Sequence, residues 1–267
     1  MADPIFPPEI EQVIFTDALG LKHDGESPLD LLLVARRVHT WLMEVLIKTI
    51  AFTLRRGTPA RKYPFRWEIN TLERYGMHTR HFFYWEGGTH PDRIEPARYF
   101  ALCPNITNLV LWIGRGLNQA DIESFSHLPL THLSINVYGL PKATPKLIQF
   151  YSRITHLENV SGFSSSGGGS DSTTLRYFTS LTHVAIPDED ENLFGCIPTL
   201  QVLVVSRVGT TGLEIGGSGT DDPRVVEVTY GPNSQVEEWL LDVQEGRGMW
   251  GSADNVVRER LKRKTAL

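Results

Sequence analysis

A six-residue pattern, apolar at positions 1, 4 and 6, constrains this chain more than any other feature. It begins at Ile47 (IKTIAF), Thr79 (TRHFFY), Ile106 (ITNLVL), Leu130 (LTHLSI), Ile154 (ITHLEN), Leu181 (LTHVAI), Leu200 (LQVLVV) and Val225 (VVEVTY). The intervals are 32, 27, 24, 24, 27, 19 and 25 residues. Alternation over so short a span reads as a half-buried strand. The segments between read as returning helices. Residues 92–104, 119–129 and 144–153 carry apolar side chains at helical spacing; in the third, Leu147, Ile148 and Tyr151 follow Pro145, a favoured first-turn residue. Residues 190–198 form a shorter version.

Strand, turn and helix, repeated, predict a parallel sheet with helices on one face, joined by right-handed crossovers. The spacing lies within or beside the roughly 20–29 residues of leucine-rich repeats, whose consensus begins L-x-x-L-x-L. The pattern is irregular: Thr79 is a weak first position, Asn159 replaces an apolar sixth, and the Asn/Cys step is missing. The predicted fold is therefore α/β, an irregular leucine-rich-repeat solenoid.

Alternation along each strand turns positions 4 and 6 towards the helices, and positions 3 and 5 towards an open concave face. Position 3 reads Thr49, His81, Asn108, His132, His156, His183, Val202, Glu227. Neighbouring strands lie about 4.8 Å apart, so His132, His156 and His183 should form a ladder. Ser134 and Glu158 at position 5, and Trp112 one step past the third window, project from the same face. His81, Asn108, Trp112, His132, Ser134, His156, Glu158 and His183 are the expected ligand surface. Stacked imidazoles near Glu158 raise the alternative of a transition-metal site, but side chains of parallel neighbours run side by side, whereas metal ligands converge. No metal or cofactor is expected. Protonation near the ordinary imidazole pKa of about 6.5 would set like charges on adjacent strands.

Other motifs lead away from catalysis. The acidic residues 188–192 suit the start of a short helix. The glycine cluster at 215–222 lacks the Gly-Lys-Ser/Thr step of a phosphate loop, and residues 162–172 have the composition of a flexible loop. Cys103 and Cys196 precede strands four repeats apart, too far for a disulfide, and read as buried apolar residues. No catalytic residues are assigned.

Residues 1–50 form a helical head without strand signal. Pro7 and Pro8 open a helix with the stripe Ile10, Val13, Ile14 and Leu19, and residues 29–42 resume an apolar helical pattern. Pro7-Pro8-Glu9-Ile10, Ile14-Phe15, Asp30 to Val34, Arg36-Arg37 and Trp41 resemble an F-box, with Phe6 in place of Leu and Ala35 in place of Cys/Ser. The head and the tail segment RGMWGSADNVVRERLKRK are similar to F-box-like leucine-rich-repeat proteins of mushroom-forming fungi. The resemblance implies docking on a Skp1-like adaptor of a cullin ubiquitin ligase through Pro7, Pro8, Glu9, Ile10, Ile14, Phe15, Leu31, Leu32 and Val34, with a protein substrate on the repeats. The same apolar residues would also serve a helical cap on the open end of a solenoid.

Residues 232–267 read as C-terminal capping helices. Ser234 and Glu237 have capping-box spacing, with Val236, Trp239, Leu240 and Val243 on one face. Arg258, Arg260, Lys262, Arg263 and Lys264 suit a helix C-terminus, a patch for an anionic partner or a nuclear-import receptor being the alternative. The repeats occupy 51–231. A net charge of −5 argues against nucleic acid or a membrane surface as partner. No apolar run approaches the roughly 20 residues of a membrane span. Two cysteines and an acidic, proline-rich start without a basic n-region predict a cytoplasmic or nuclear protein. The expected function is non-catalytic recognition; a small-molecule enzyme using the concave His/Glu row, and a scaffold without a ligase link, are the alternatives.

Overall fold

The computed structural model describes residues 6–20, 29–53, 69–86, 95–114, 117–136, 144–161, 174–187, 193–208, 214–217, 222–230, 235–246 and 248–265. The acidic run at 188–192, the loop at 162–172 and Ser234 of the expected capping box lie outside them.

The chain is α/β, built on one nine-stranded sheet. The strands are β1 (Thr49–Thr53), β2 (His81–Glu86), β3 (Asn108–Ile113), β4 (His132–Ile135), β5 (His156–Asn159), β6 (His183–Ile186), β7 (Val202–Val208), β8 (Glu214–Gly217) and β9 (Val225–Tyr230). Their order is β1-β2-β3-β4-β5-β6-β7-β9-β8, parallel throughout except that β8 runs antiparallel on the β9 edge. The first seven hexads align in register: Thr49, His81, Asn108, His132, His156, His183 and Val202 are successive partners.

The eighth window does not align. Val225 pairs with Leu203, a fourth position, so the window is shifted by three residues and its faces are exchanged. Val226, Val228 and Tyr230 turn to the side expected for Glu227, and Glu227 instead pairs with Arg207 at 3.0 Å. An odd shift always has this effect, because side chains alternate with period two. Strand β8 has no counterpart among the eight windows: its Ile215-Gly216-Gly217 belongs to the glycine cluster at 215–222.

The connecting helices are α4 (Ile69–Tyr75), α5 (Pro96–Leu102), α6 (Gln119–Phe125), α7 (Pro145–Tyr151) and α8 (Leu193–Cys196). Local chemistry sets their starts. Pro96 and Pro145 occupy the first turn; Asn118 and Asp121 exchange side chain-to-backbone hydrogen bonds in a capping box; Thr144 accepts from Leu147 N–H. One phenylalanine per repeat (Phe100, Phe125, Phe150) meets its neighbour edge-on at 5.7 and 5.8 Å, and these pack on positions 4 and 6 of the strands. Cys103 is buried, as expected, but Cys196 is only half-buried.

The head forms α1 (Pro8–Gly20), α2 (Leu29–Leu32) and α3 (Arg36–Leu46). Residues 29–42 are thus not one helix: the chain leaves α2 and re-enters helix at Arg36 after an extended Ala35. Leu32, Val38, Leu42 and Met43 join the same core as the first repeats, so the head and repeats share one interior. Among the described residues no helix is long and apolar enough to cross a membrane.

The last two helices, α9 (Gln235–Glu245) and α10 (Met249–Thr265), do not cap an end of the sheet. They lie across the face of positions 3 and 5, where Val236 joins Phe83, Val110 and Trp112, and where Met249, Ala253 and Val257 join Val204, Val226 and Val228. The molecule has three layers rather than two. Glycines make the hairpin between α9 and α10 this tight. Gly246 has a φ of +63°, and a Cβ on Gly251 would stand 1.8 Å from the Gly246 carbonyl oxygen. Gly251→Ala must push the helices apart, and urea unfolding should show a loss of about 1–3 kcal/mol, the usual cost of overpacking. An unchanged midpoint would mean that the turn has room to spare.

Candidate functional site

The recurring threonine and histidine of the hexads have specific partners. Thr131, Thr155 and Thr182 place Oγ1 at 3.0, 2.9 and 2.7 Å from Nδ1 of the following His132, His156 and His183. The same hydroxyls lie 3.3, 3.1 and 3.2 Å from the backbone carbonyl of the threonine one repeat earlier. One arrangement satisfies both contacts: Nδ1–H donates to the hydroxyl, and the hydroxyl donates to the carbonyl. The Thr-His pair therefore ties each strand to its predecessor and fixes the ring's orientation. His132 stacks on His156 with centroids 4.0 Å apart and planes 14° from parallel, and His156 stacks on His183 at 4.1 Å and 10°.

The expected ladder is present, but it is not an open wall. Trp250 of α10 stands edge-on to His156 and His183 at 5.2 and 5.8 Å. Asp254 Oδ1 lies 2.8 Å from His183 Nε2, so this ring alone of the three meets a carboxylate of the roof. Trp239 of α9 packs on Phe83 at 5.2 Å and donates Nε1–H to Asn108 at 3.0 Å. Trp112, Ser134 and His183 are buried, while His81, Asn108, His132, His156 and Glu158 are half-buried. The surface predicted to be free is the floor of a cleft roofed by the C-terminal hairpin. The physical reason is that its fifth positions and Trp112 are mostly apolar and need cover.

That cleft lies between β2–β5 and the hairpin. It encloses about 520 Å³ counted out to its mouth, of which about 40 Å³ is room for the centres of water-sized molecules. At its floor Trp112 Nε1–H donates to Ser134 at 2.8 Å, and Ser134 donates to Glu158 Oε2 at 2.5 Å. Burial raises the Glu158 carboxyl to about 7; the Ser134 hydrogen bond pulls it down and the nearby Asp242 pushes it up. Asp242, raised by burial to about 6, accepts from the backbone N–H groups of Trp250 and Gly251 at 3.3 and 3.5 Å and so caps α10. Tyr230 on the roof side donates to the sulfur of Met249.

The imidazoles move the other way. Burial, with repulsion from neighbouring imidazoles, lowers His132 to about 4 and His156 to about 2, and His81 falls to about 4 for the same reason together with Lys48. Among the described residues no three His, Cys, Asp or Glu side chains converge on a point where a metal could sit. The stacked rings are parallel.

Sequence reasoning missed Phe83, Tyr230, Glu238, Trp239, Asp242, Met249 and Trp250, which line the cleft. Two tail tryptophans, more than a solvent-facing cap requires, were the available signal.

The head's predicted docking residues divide. Pro7, Pro8, Glu9, Ile10, Ile14 and Val34 are exposed, whereas Phe15 and Leu31 pack against the core and Leu32 lies in it. Ile10, Val13 and Ile14 of the α1 stripe are not buried against the head. With Phe6, Val13 and Leu33, the apolar residues of this surface remain 46–84% exposed.

The chain matches no model of a known protein family, and no curated protein matches it.

The imidazole shifts have a consequence for acid stability. His132 and His156 take up protons in the unfolded chain near 6.5 but in the folded one only near 4 and 2, so they draw stability away as pH falls from 6.5. Glu158 and Asp242 act oppositely: their folded forms bind protons at about 7 and 6, before the unfolded chain does, and contribute stability as pH falls from 7 towards 4.5. His156→Gln removes one term from the first set. Its unfolding free energy should gain on wild type progressively between pH 6.5 and 4, with a constant difference above pH 7. A difference that does not change with pH would place His156 in ordinary solvent.

Proposed function

We propose that this protein is a non-catalytic recognition module, an F-box-like substrate adaptor of a Skp1–cullin ubiquitin ligase whose body is built of irregular leucine-rich repeats. The observation that carries the proposal is the uncovered apolar surface of the head. Six of the eleven large apolar side chains found exposed among the described residues are Phe6, Ile10, Val13, Ile14, Leu33 and Val34. A cap would spend such residues on the repeats; here Leu32 of α2 and Val38, Leu42 and Met43 of α3 do that. An apolar face left open and rimmed by polar groups is what an interaction surface needs. Ile10, Ile14, Leu33 and Val34 are among the positions at which the head resembles an F-box.

The roofed cleft narrows what the repeats can hold. A protein ligand would enter it by a side chain rather than lie along the sheet. A second reading, acid–base catalysis, has one observation in its favour: His132, His156 and Glu158 share the cleft. Against it, the Ser134 hydroxyl is held between Trp112 and Glu158, and the lowered pKa values make the imidazoles weak bases that are not in the acid form at neutral pH. Its mark would be a turnover that Glu158→Gln abolishes while adaptor capture persists.

Purified Skp1 should be retained by the wild-type chain at micromolar concentration. Ile14→Asp/Val34→Asp, two changes at exposed positions, should reduce retention by about tenfold or more, the scale of losing an interface hot spot, without lowering the melting temperature. No retention by the wild type would overturn the proposal.

A further inference from the structure

We propose that the cleft between the sheet and the C-terminal hairpin receives a small organic cation, an alkylated ammonium group either free or borne on a methylated lysine side chain. The proposal deepens the recognition reading of the cleft, but it does not depend on what the head binds.

Three features select this chemistry. The first is charge. The fifteen residues lining the cleft include Glu158, Glu238 and Asp242 but neither lysine nor arginine, and the two imidazoles that line it carry no charge at neutral pH. An anionic ligand would meet three carboxyl groups and no counter-charge. The second is an unanswered acceptor. Asp242 is spent on the N–H groups of Trp250 and Gly251, and Glu158 Oε2 on Ser134. Glu238 Oε2, on the roof helix, is buried and receives no donor. A buried carboxylate oxygen without a partner is costly, and a cation in the cleft supplies what it lacks. The third is the walls. Trp112, Trp239, Trp250 and Tyr230 line the same space. Aromatic rings attract cations through their faces and favour weakly hydrated alkylammonium groups over a strongly hydrated ion. A metal ion would need converging ligands, which are not found among the described residues. The small interior suits a head group rather than a whole peptide.

The cleft's tryptophans provide the readout. Titrating the full chain with choline chloride, followed by tryptophan fluorescence and calorimetry, should give saturable one-to-one binding. The neutral isostere 3,3-dimethylbutan-1-ol should bind at least about tenfold more weakly, as loss of a desolvated cation–aromatic contact requires. Glu238→Gln, a change at a half-exposed residue, should weaken choline about fivefold or more, with the melting curve as the check on folding; should that variant fail to fold, Trp239→Phe must show the same loss. A peptide carrying trimethyllysine, compared with its unmodified lysine form, separates the sources: tighter binding than choline assigns the site to a modified protein, equal or weaker binding to a free ammonium compound. The proposal is overturned if no ammonium probe binds, if the neutral alcohol matches choline, or if the folded variant binds choline as wild type does. Skp1 capture, being read from the head, fails or succeeds independently of all these results.

Discussion

Seven strands held in one register place equivalent side chains about 4.8 Å apart along the sheet, and the rest of the structure depends on what the chain puts in that row. Imidazoles at the fourth, fifth and sixth places of the row stack nearly parallel. Burial and mutual repulsion keep His132 and His156 uncharged at neutral pH. The threonine before each histidine makes this tolerable, because its hydroxyl satisfies Nδ1 and links it to the backbone of the neighbouring repeat. Thr79 and Thr107 extend the same hydroxyl-to-carbonyl ladder where no imidazole stack exists, donating to Ile47 and Arg80. The threonine is thus a repeat-to-repeat clamp first and a histidine partner second.

A partly aromatic row flanked by apolar fifth positions is a surface that wants cover, and the C-terminal hairpin supplies it. Parallel sheets are normally buried on both faces. Here one face is filled by the connecting helices with their phenylalanine row, the other by α9 and α10 with two tryptophans, Met249 and Val257. Polar anchoring is sparse but well placed: Asp254 to His183, Trp239 to Asn108, and Arg260 to the Val225 carbonyl at 2.6 Å. Where the hairpin stands off the sheet, the cleft opens, and its carboxyl groups share too little solvent to ionise at their ordinary pKa.

Much of the sheet and its helices was legible in the sequence because their signals are local. A hexad with apolar positions 4 and 6 needs only its own six residues to declare a strand, and Pro96, Asn118 and Pro145 mark helix starts by side-chain chemistry alone. The roof was not legible in that way. Its cause is distributed: Phe83, Val110, Trp112, Ala185 and Val204, each unremarkable alone, make the opposite face too apolar to be left wet. The eighth window failed for a related reason, since Val225 to Tyr230 offers apolar residues in both phases and only pairing with β7 decides between them. In the head, the pattern located helical residues but neither the break before Arg36 nor which apolar residues the repeats would claim; Leu32 and Ile14 look alike in sequence, yet one is buried and the other exposed.

The central claim is that the hairpin keeps His132 and His156 dry and neutral. Its most direct test is a pH titration of the histidine side chains followed by NMR of the imidazole nitrogens and ring carbons. The account predicts that His132 and His156 remain neutral from pH 8 down to about 5. Midpoints near 6.5 for His132 and His156 would contradict it, for they would mean that water reaches the stack and that the roof is not there.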